Sequence, residues 1–398
     1  MTNPFSPLRD KIFAKLYISQ TISLLGDALT WVGIALLAFQ FGGKHSAAIL
    51  STALTLRVTA FIIFGPYAGV LADRIDRKKI LYSTHFVRMA IVACLSFVTA
   101  AWQIYLLIFL LNIFNAFFTP AYSAAIPQSI KNKENYSSGI ALSNATEQLL
   151  GVLGPGLAGG IAVWLGAREI FFVDAATFII AAVFILTLPS LLVEQKNAAG
   201  EQPKVWPDIL KGSRLLFSNK AVRFALLIEL VSAIAGAEIL VNTVGYVKGQ
   251  LALSDKYYGY ALAAFGLGAA IAAFTSGNYD KSKNRIASLM IGGVLVCLSI
   301  AFGNYIQFIP LLILWLLAGF GQKLAEMPSQ ILIAEKMPIE EHGKVYGAHF
   351  AWSHLWWAFA YPIAGYTTGI HFQNRQFLIG AGLSLGAFVL ITLLFFPH

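Results

Sequence analysis

Residues 65–79 read Gly65-Pro66-Tyr67-Ala68-Gly69-Val70-Leu71-Ala72-Asp73-Arg74-Ile75-Asp76-Arg77-Lys78-Lys79. Two acids and four bases are packed between one long apolar run and the next. Charge at the centre of a bilayer is costly, so such a knot belongs in water or at a headgroup surface. The rest of the composition agrees: the chain is 58% apolar and 12% charged, with a mean hydropathy of +0.70. Those values lie outside the globular range and inside that of membrane proteins.

Breaking the chain at charges, Gly/Pro clusters and polar runs leaves twelve apolar segments, each near the roughly 20 residues that a crossing needs. They fall near 14–40, 45–72, 80–100, 103–127, 139–165, 169–190, 220–247, 257–277, 286–304, 308–334, 344–369 and 374–396. The long polar stretch, 191–219, reads as a cytoplasmic linker with one amphipathic helix along the membrane surface. The expected organisation is therefore an N-terminal six-helix bundle (1–190), the linker (191–219) and a C-terminal six-helix bundle (220–398). The polar, basic lead-in (Arg9, Lys11, Lys15) precedes a first span too long for a cleavable signal.

Orientation follows from the bases. With the N-terminus inside, the cytoplasmic side collects 20 of the 28 Lys and Arg and the other side five, Lys44, Arg168, Lys248, Lys256 and Arg375. This predicts both termini in the cytoplasm and accounts for the net charge of +9 without nucleic acid. Cys94 and Cys297 stand alone in separate spans, so no disulfide or metal site is implied. No Walker lysine motif, H-E-x-x-H or G-x-S-x-G occurs, which leaves ATP hydrolysis and proteolysis without a candidate site and predicts a non-enzyme.

The halves repeat each other. Asp73 and Asp280 are 207 residues apart (280 − 73), as are Pro155 and Pro362, while Pro120 and Pro328 are 208 apart. Internal repeats of this kind are common in secondary transporters. The fifth span holds Gly151-Val152-Leu153-Gly154-Pro155-Gly156-Leu157-Ala158-Gly159-Gly160. Its small residues let helices approach closely, and Pro155 removes a backbone donor and bends the helix.

The G-x-x-x-D-R-x-x-R-K-K knot resembles the signature loop between the second and third helices of the major facilitator superfamily. Asp76 stands where the commonest version has Gly. That variant is similar to the exporter branch holding macrolide-efflux proteins and the enterobactin exporter. The resemblance implies an all-α membrane protein of twelve transmembrane helices in two pseudo-symmetric six-helix bundles around a central cavity. It implies a gating loop of Gly69, Asp73, Arg74 and Arg77, with Asp280 in the degenerate second copy. Asp73 would lie near the N-terminus of the eleventh helix, where partial positive charge favours an anion, and Arg74 and Arg77 would pair with carboxylates. The glycine run resembles a G-x-x-x-G-P-x-x-G-G motif characteristic of proton-driven exporters, with Gly151, Gly154, Pro155, Gly159 and Gly160 as its packing residues. The alternatives for the same residues are a bare topological anchor and a common packing device.

Ionisable residues inside spans are functional candidates. Asp27 lies in a stripe with Gln20, Ser23, Thr30 and Trp31 on one helix face. Counting from the turn near Gly43, Asp27 and Arg57 differ in depth by about 3 Å at 1.5 Å per residue. A buried ion pair is expected there, either structural or as the proton-coupling site. Asn112 and Asn115 in the fourth span, with Lys323 and Glu326 in the tenth, are expected to face the cavity. Glu147 and His354, 207 residues apart, read as proton-handling or substrate groups. In the seventh span the repeat favours Glu238, with Asn242, over Glu229, because Glu238 corresponds to Trp31 on the Asp27 face. Asp174 is expected at the interface, and Arg88 is expected to snorkel toward the surface.

The expectation is a monomeric secondary transporter in a bacterial cytoplasmic membrane, with no cofactor beyond the proton gradient. Its partners are lipid, protons and an exported amphipathic, siderophore- or drug-like small molecule, which the aromatic eleventh span would suit. The alternatives are an uptake transporter or lipid flippase on the same fold, and a non-transporting membrane receptor.

Overall fold

The computed structural model describes residues 5–130, 136–190, 205–279, 285–338, 341–367 and 375–397. The described residues form no strand. Their α-helices are α1 (Lys11–Gly42), α2 (Ser46–Arg74), α3 (Arg77–Leu95), α4 (Ala101–Ser129), α5 (Tyr136–Leu165), α6 (Glu169–Leu186) and α7 (Val205–Ser218). There follow α8 (Lys220–Gly245), α9 (Asp255–Tyr279), α10 (Arg285–Ala301), α11 (Phe308–Lys336), α12 (His342–Thr367) and α13 (Gln376–Phe395). Every expected span is matched by a helix whose ends lie within five residues of the expected ones. Among the described residues, seven helical stretches are long and apolar enough on hydropathy alone to cross a membrane, the first (Lys11–Gly65) covering α1 and most of α2.

Local chemistry sets the helix boundaries. Asp76 caps α3, accepting from the Lys78 amide at 3.0 Å. Asn219 caps α8, its side chain accepting from the Ala221 and Val222 amides at 3.0 and 3.2 Å. Such caps satisfy amides that the helix cannot, and each is worth about 1 kcal/mol. Large apolar side chains stand exposed along the helices, Trp164 at 89% and Leu393 at 78%. In a membrane these face lipid.

The chain forms two compact units, Met1–Leu37 with Thr59–Ala199, and Ala38–Val58 with Gly200–His398. In the first, α3 packs between α4 and α6. In the second, α8 is the central helix, against α7, α11, α12 and α13, and most of its length is buried. The amphipathic α7 packs along α12. Of the expected linker, 191–204 lies outside the described residues.

Candidate functional site

In the first unit the polar stripe of α1 converges on α3 and α6. Asp27 is held by Arg88, whose Nη2 lies 3.0 Å from both carboxylate oxygens. Arg88 also reaches Ser23 Oγ at 3.4 Å. The guanidinium lies over the Phe178 ring at 4.2 Å and the Phe118 ring at 5.2 Å, so its faces meet aromatic π-clouds while its edge meets the acid. The two members differ in access: the Arg88 side chain is 2% exposed and that of Asp27 26%.

Three expectations are corrected here. The partner of Asp27 is Arg88 of α3, and Arg57 belongs to the other unit. Depth along a hairpin says nothing of rotation about each helix axis, and the rotation of α3 delivers Arg88 to Asp27. Arg88 does not snorkel: an acid and two rings hold it inside. Asp174 is likewise not interfacial but fully buried. It accepts from Thr30 Oγ1 of α1 and, at 3.0 Å, from Thr177 Oγ1. A Cβ at Gly26 would overlap both Asp174 and Thr177, so glycine lets α6 approach α1 at this level.

Gly154 of the glycine run is buried, and a Cβ there would lie 2.7 Å from the Ala28 Cβ. The motif thus packs on α1 beside Asp27. Gly151 and Gly160 face open space, Gly159 is buried, and the Pro155 side chain lies outside the described residues. Asn112 is fully buried, donating to Ile108 O at 2.8 Å and accepting from Asn115 Nδ2 at 3.2 Å. This places Asn112 within the helix packing. Gln20 has a buried side-chain oxygen with no partner. Glu147 is exposed on α5, beside Thr146, which bonds the Tyr17 hydroxyl at 2.6 Å.

The charged loop is stitched to main-chain carbonyls. Arg77 donates to Ala72 O at 3.2 Å and Ala124 O at 3.0 Å, and Lys78 to Leu188 O at 2.6 Å. Asp76 accepts from Ser190 Oγ at 2.7 Å besides capping α3, which accounts for an acid where the family pattern has Gly. The surroundings of Gly69, the side chains of Asp73 and Arg74, and the whole of Asp280 lie outside the described residues.

In the second unit, Glu229 is the residue that the repeat argument set aside. Its Oε1 meets His349 Nε2 of α12 at 2.9 Å, and both residues are buried. One turn on, Ser232 donates to Glu326 Oε1 at 3.4 Å. Glu326 also accepts from Gln322 at 2.9 Å and Lys323 at 3.2 Å. Lys323 and Glu326 therefore form one network, as their shared face suggested. Glu238 is fully enclosed rather than set on an open face: Asn242 donates to it at 2.6 Å and to Ala364 O at 3.1 Å. A Cβ at Gly380 of α13 would overlap the Glu238 side chain. His354 Nδ1 pairs with Phe350 O at 2.8 Å, and its ring lies 3.9 Å from the Phe350 ring. The sequence missed Arg88 and His349 as partners; a basic residue on a neighbouring span, whatever its apparent depth, was the available signal.

The Major Facilitator Superfamily model matches residues 16–244 and 226–398. The chain belongs to this superfamily. It is an integral membrane transporter of small molecules, not an enzyme, and its fold is the all-α major facilitator fold. It is 26% identical over 350 residues to the uncharacterized MFS-type transporter YfiS of Bacillus subtilis, covering 84% of this chain and 81% of that one. It is 26% identical over 349 residues to the enterobactin exporter EntS of Escherichia coli, covering 84% and 80%. Macrolide efflux protein A of Streptococcus pyogenes is 28% identical over 224 residues, 54% of this chain and 53% of that one. The crystal structure of the nucleoside transporter NupG superimposes with a TM-score of 0.77 at 14% identity, covering 97% of this chain and all of that one.

Proposed function

We propose that this transporter is a monomeric, proton-coupled antiporter of a bacterial cytoplasmic membrane, with both termini cytoplasmic. Its export substrate is an amphipathic small molecule of siderophore or macrolide type. The carrying observation is the asymmetry of the Asp27–Arg88 pair, an accessible acid on a sealed base. A movement that separates the pair leaves Asp27 to take a proton, and one that restores it expels the proton. Gly154, packed on Ala28, makes α5 sensitive to the position of the α1 turn that carries Asp27. The working halves are 1–190 and 220–398, with Asp73 and Arg74 gating the loop between α2 and α3. The efflux and export functions of the macrolide and enterobactin relatives support export and the substrate class.

The test is transport in everted vesicles, with and without a collapsed pH gradient, using a macrolide and a catecholate siderophore as probes. Wild type should accumulate one of them only with the gradient. Asp27→Asn should bind it without accumulation and release no proton on binding. Accumulation that ignores the gradient, or proton release from Asp27→Asn equal to wild type, overturns the reading. Uptake or lipid movement in its place identifies the rival function.

A further inference from the structure

One turn before Arg88 on α3 stands His85, fully buried, with neither ring nitrogen partnered among the described residues. Its ring packs against the two rings that flank Arg88, with centroids 4.8 Å from Phe118 and 5.8 Å from Phe178. Arg88 carries the complementary defect: its Nε, a donor, is buried without an acceptor. Buried polar groups are nearly always paired, and each one left unpaired costs about 1–3 kcal/mol. A phenyl or leucyl side chain would fill this apolar slot without that cost. A neutral imidazole has one acceptor nitrogen, whereas a guanidinium has five N–H donors and no acceptor. The two side chains are i and i+3 neighbours on one helix, the spacing at which side chains meet.

We infer that His85 is a positioning residue for proton coupling, the second hydrogen-bond acceptor of Arg88, used when Asp27 is protonated and the ion pair is broken. The inference rests on the proposed coupling role of Asp27. When Asp27 takes a proton, Arg88 keeps its charge and loses its anion in a site too enclosed for bulk water. Swinging the guanidinium one turn along α3 toward His85 gives it a neutral acceptor between the same two rings. The other titratable group near Arg88 is Asp174 on α6, which Thr30 and Thr177 already engage. From α4 the facing groups are Phe118 and, stacked on it at 5.8 Å, Tyr122. From α1 they are Asp27 and Ser23. Among these, the nitrogen with unused acceptor capacity is that of His85. Arg88 would then have two defined positions, and each proton taken by Asp27 would be read as a movement along α3.

The experiment needs no transported ligand. Histidine side chains are labelled with nitrogen-15 in purified full-length protein in detergent, and His85 is assigned by the signal lost in His85→Gln. In wild type at neutral pH its unprotonated nitrogen should show the shift of an unbonded acceptor. Asp27→Asn, which mimics the protonated acid, should move that resonance to a hydrogen-bonded value. Infrared titration of the Asp27 carboxyl supplies the second arm. In His85→Phe its protonated band should need about tenfold more protons, one pH unit. In His85→Gln, which keeps an acceptor, it should stay within about threefold of wild type, the span of a weak neutral bond. A His85 nitrogen already bonded in wild type, as a trapped water would make it, overturns the inference. So does a resonance that Asp27→Asn leaves in place, or equal titration of the Phe and wild-type proteins. If His85→Phe does not fold, the resonance comparison decides alone. An infrared band unaffected by Asp27→Asn instead sinks the role of Asp27 itself, which separates the two failures.

Discussion

The α1, α3 and α6 cluster of the first half and the same three positions in the second half make an informative pair. Asp27, Arg88 and Asp174 have as their counterparts 207 residues on Ile234, Leu295 and Ala381. One half carries two acids and a base where the other carries hydrocarbon. The second half has its own ionisable groups on α8, α11 and α12: Glu229 with His349, and Glu326 with Lys323. At the same offset Glu229 and His349 correspond to Ile22 and Leu142, and at the 208 of the Pro120–Pro328 pair Glu326 and Lys323 correspond to Phe118 and Asn115. The repeat preserves backbone and proline positions while the chemistry alternates between halves. Backbone geometry follows from packing small and apolar residues, which two halves can share. A buried charge needs a specific partner, and the two halves place such pairs at different positions.

The comparison breaks most sharply if the charges are erased. Arg88→Leu leaves two acids without their cation and should destabilise the protein by about 3–5 kcal/mol, the usual result of removing one partner of a buried pair. The triple variant Asp27→Ile, Arg88→Leu, Asp174→Ala rebuilds the second half's solution in the first. It should recover most of that loss, as thermal unfolding in detergent would show, yet accumulate no substrate. A triple variant less stable than Arg88→Leu would mean that the cluster is structural. Glu229→Gln tests the other side. Being outside the proposed coupling site, it should lower gradient-driven transport by less than about threefold, near the 0.7 kcal/mol of a single weak hydrogen bond. Complete loss of coupling in Glu229→Gln, with coupling kept in Asp27→Asn, would reverse the assignment of the two halves.

Gly154 and Gly160 give the next contrast, inside one helix. A leucine at 154 must displace Ala28, whereas at 160 it meets open space. Overpacking costs about 1–3 kcal/mol, so Gly154→Leu should cut transport roughly tenfold and Gly160→Leu should leave it near wild type. Equal effects at both positions would mean that the run acts through the backbone and not through a close approach to α1.

Spans were legible because hydropathy and charge act locally along the chain, and the helices begin and end near the expected residues. The loop 65–79 was legible as a charged turn, and Asp76 became intelligible once it was seen capping α3. Partners were not legible, because they depend on the rotation of each helix about its axis. Asp27 was singled out as a stripe residue, but Arg57 was assigned to it from depth alone. Glu238 was preferred to Glu229 because the repeat put it in phase with Asp27. Phase names a face and is silent on the neighbour, here Gly380 for one acid and His349 for the other. Lys323 and Glu326 were found together because i and i+3 neighbours need no knowledge of tertiary structure.

The smallest expected effect concerns α7, which the sequence presented as linker and the structure places on α12. Lys211 Nζ lies 2.5 Å from Glu341 Oε1, and Lys344 lies 3.3 Å from Glu341 Oε2. Trp352 Nε1 donates to Ser213 Oγ at 3.0 Å, and Phe217 meets the Trp352 ring edge to face. The Lys211 and Lys344 ammonium groups hold the Glu341 carboxyl below its ordinary range. The group with the depressed value is an acid, so its contribution is fully present above the unfolded carboxylate pKa of about 4.3. It is lost as pH falls through the lower, folded value. At pH 7, Glu341→Gln should therefore loosen α7 slightly, read as faster amide exchange in 205–218 with little change in global unfolding. Exposed pairs are screened by salt, so high salt should shrink the difference between variant and wild type. So should a pH below the folded value, where both proteins carry a neutral side chain at 341. Trp352→Phe removes the hydrogen bond to Ser213 but keeps an aromatic ring, and its effect should persist at every salt concentration. If Glu341→Gln and Trp352→Phe respond alike to salt, α7 is held by apolar packing and the ion pair is incidental.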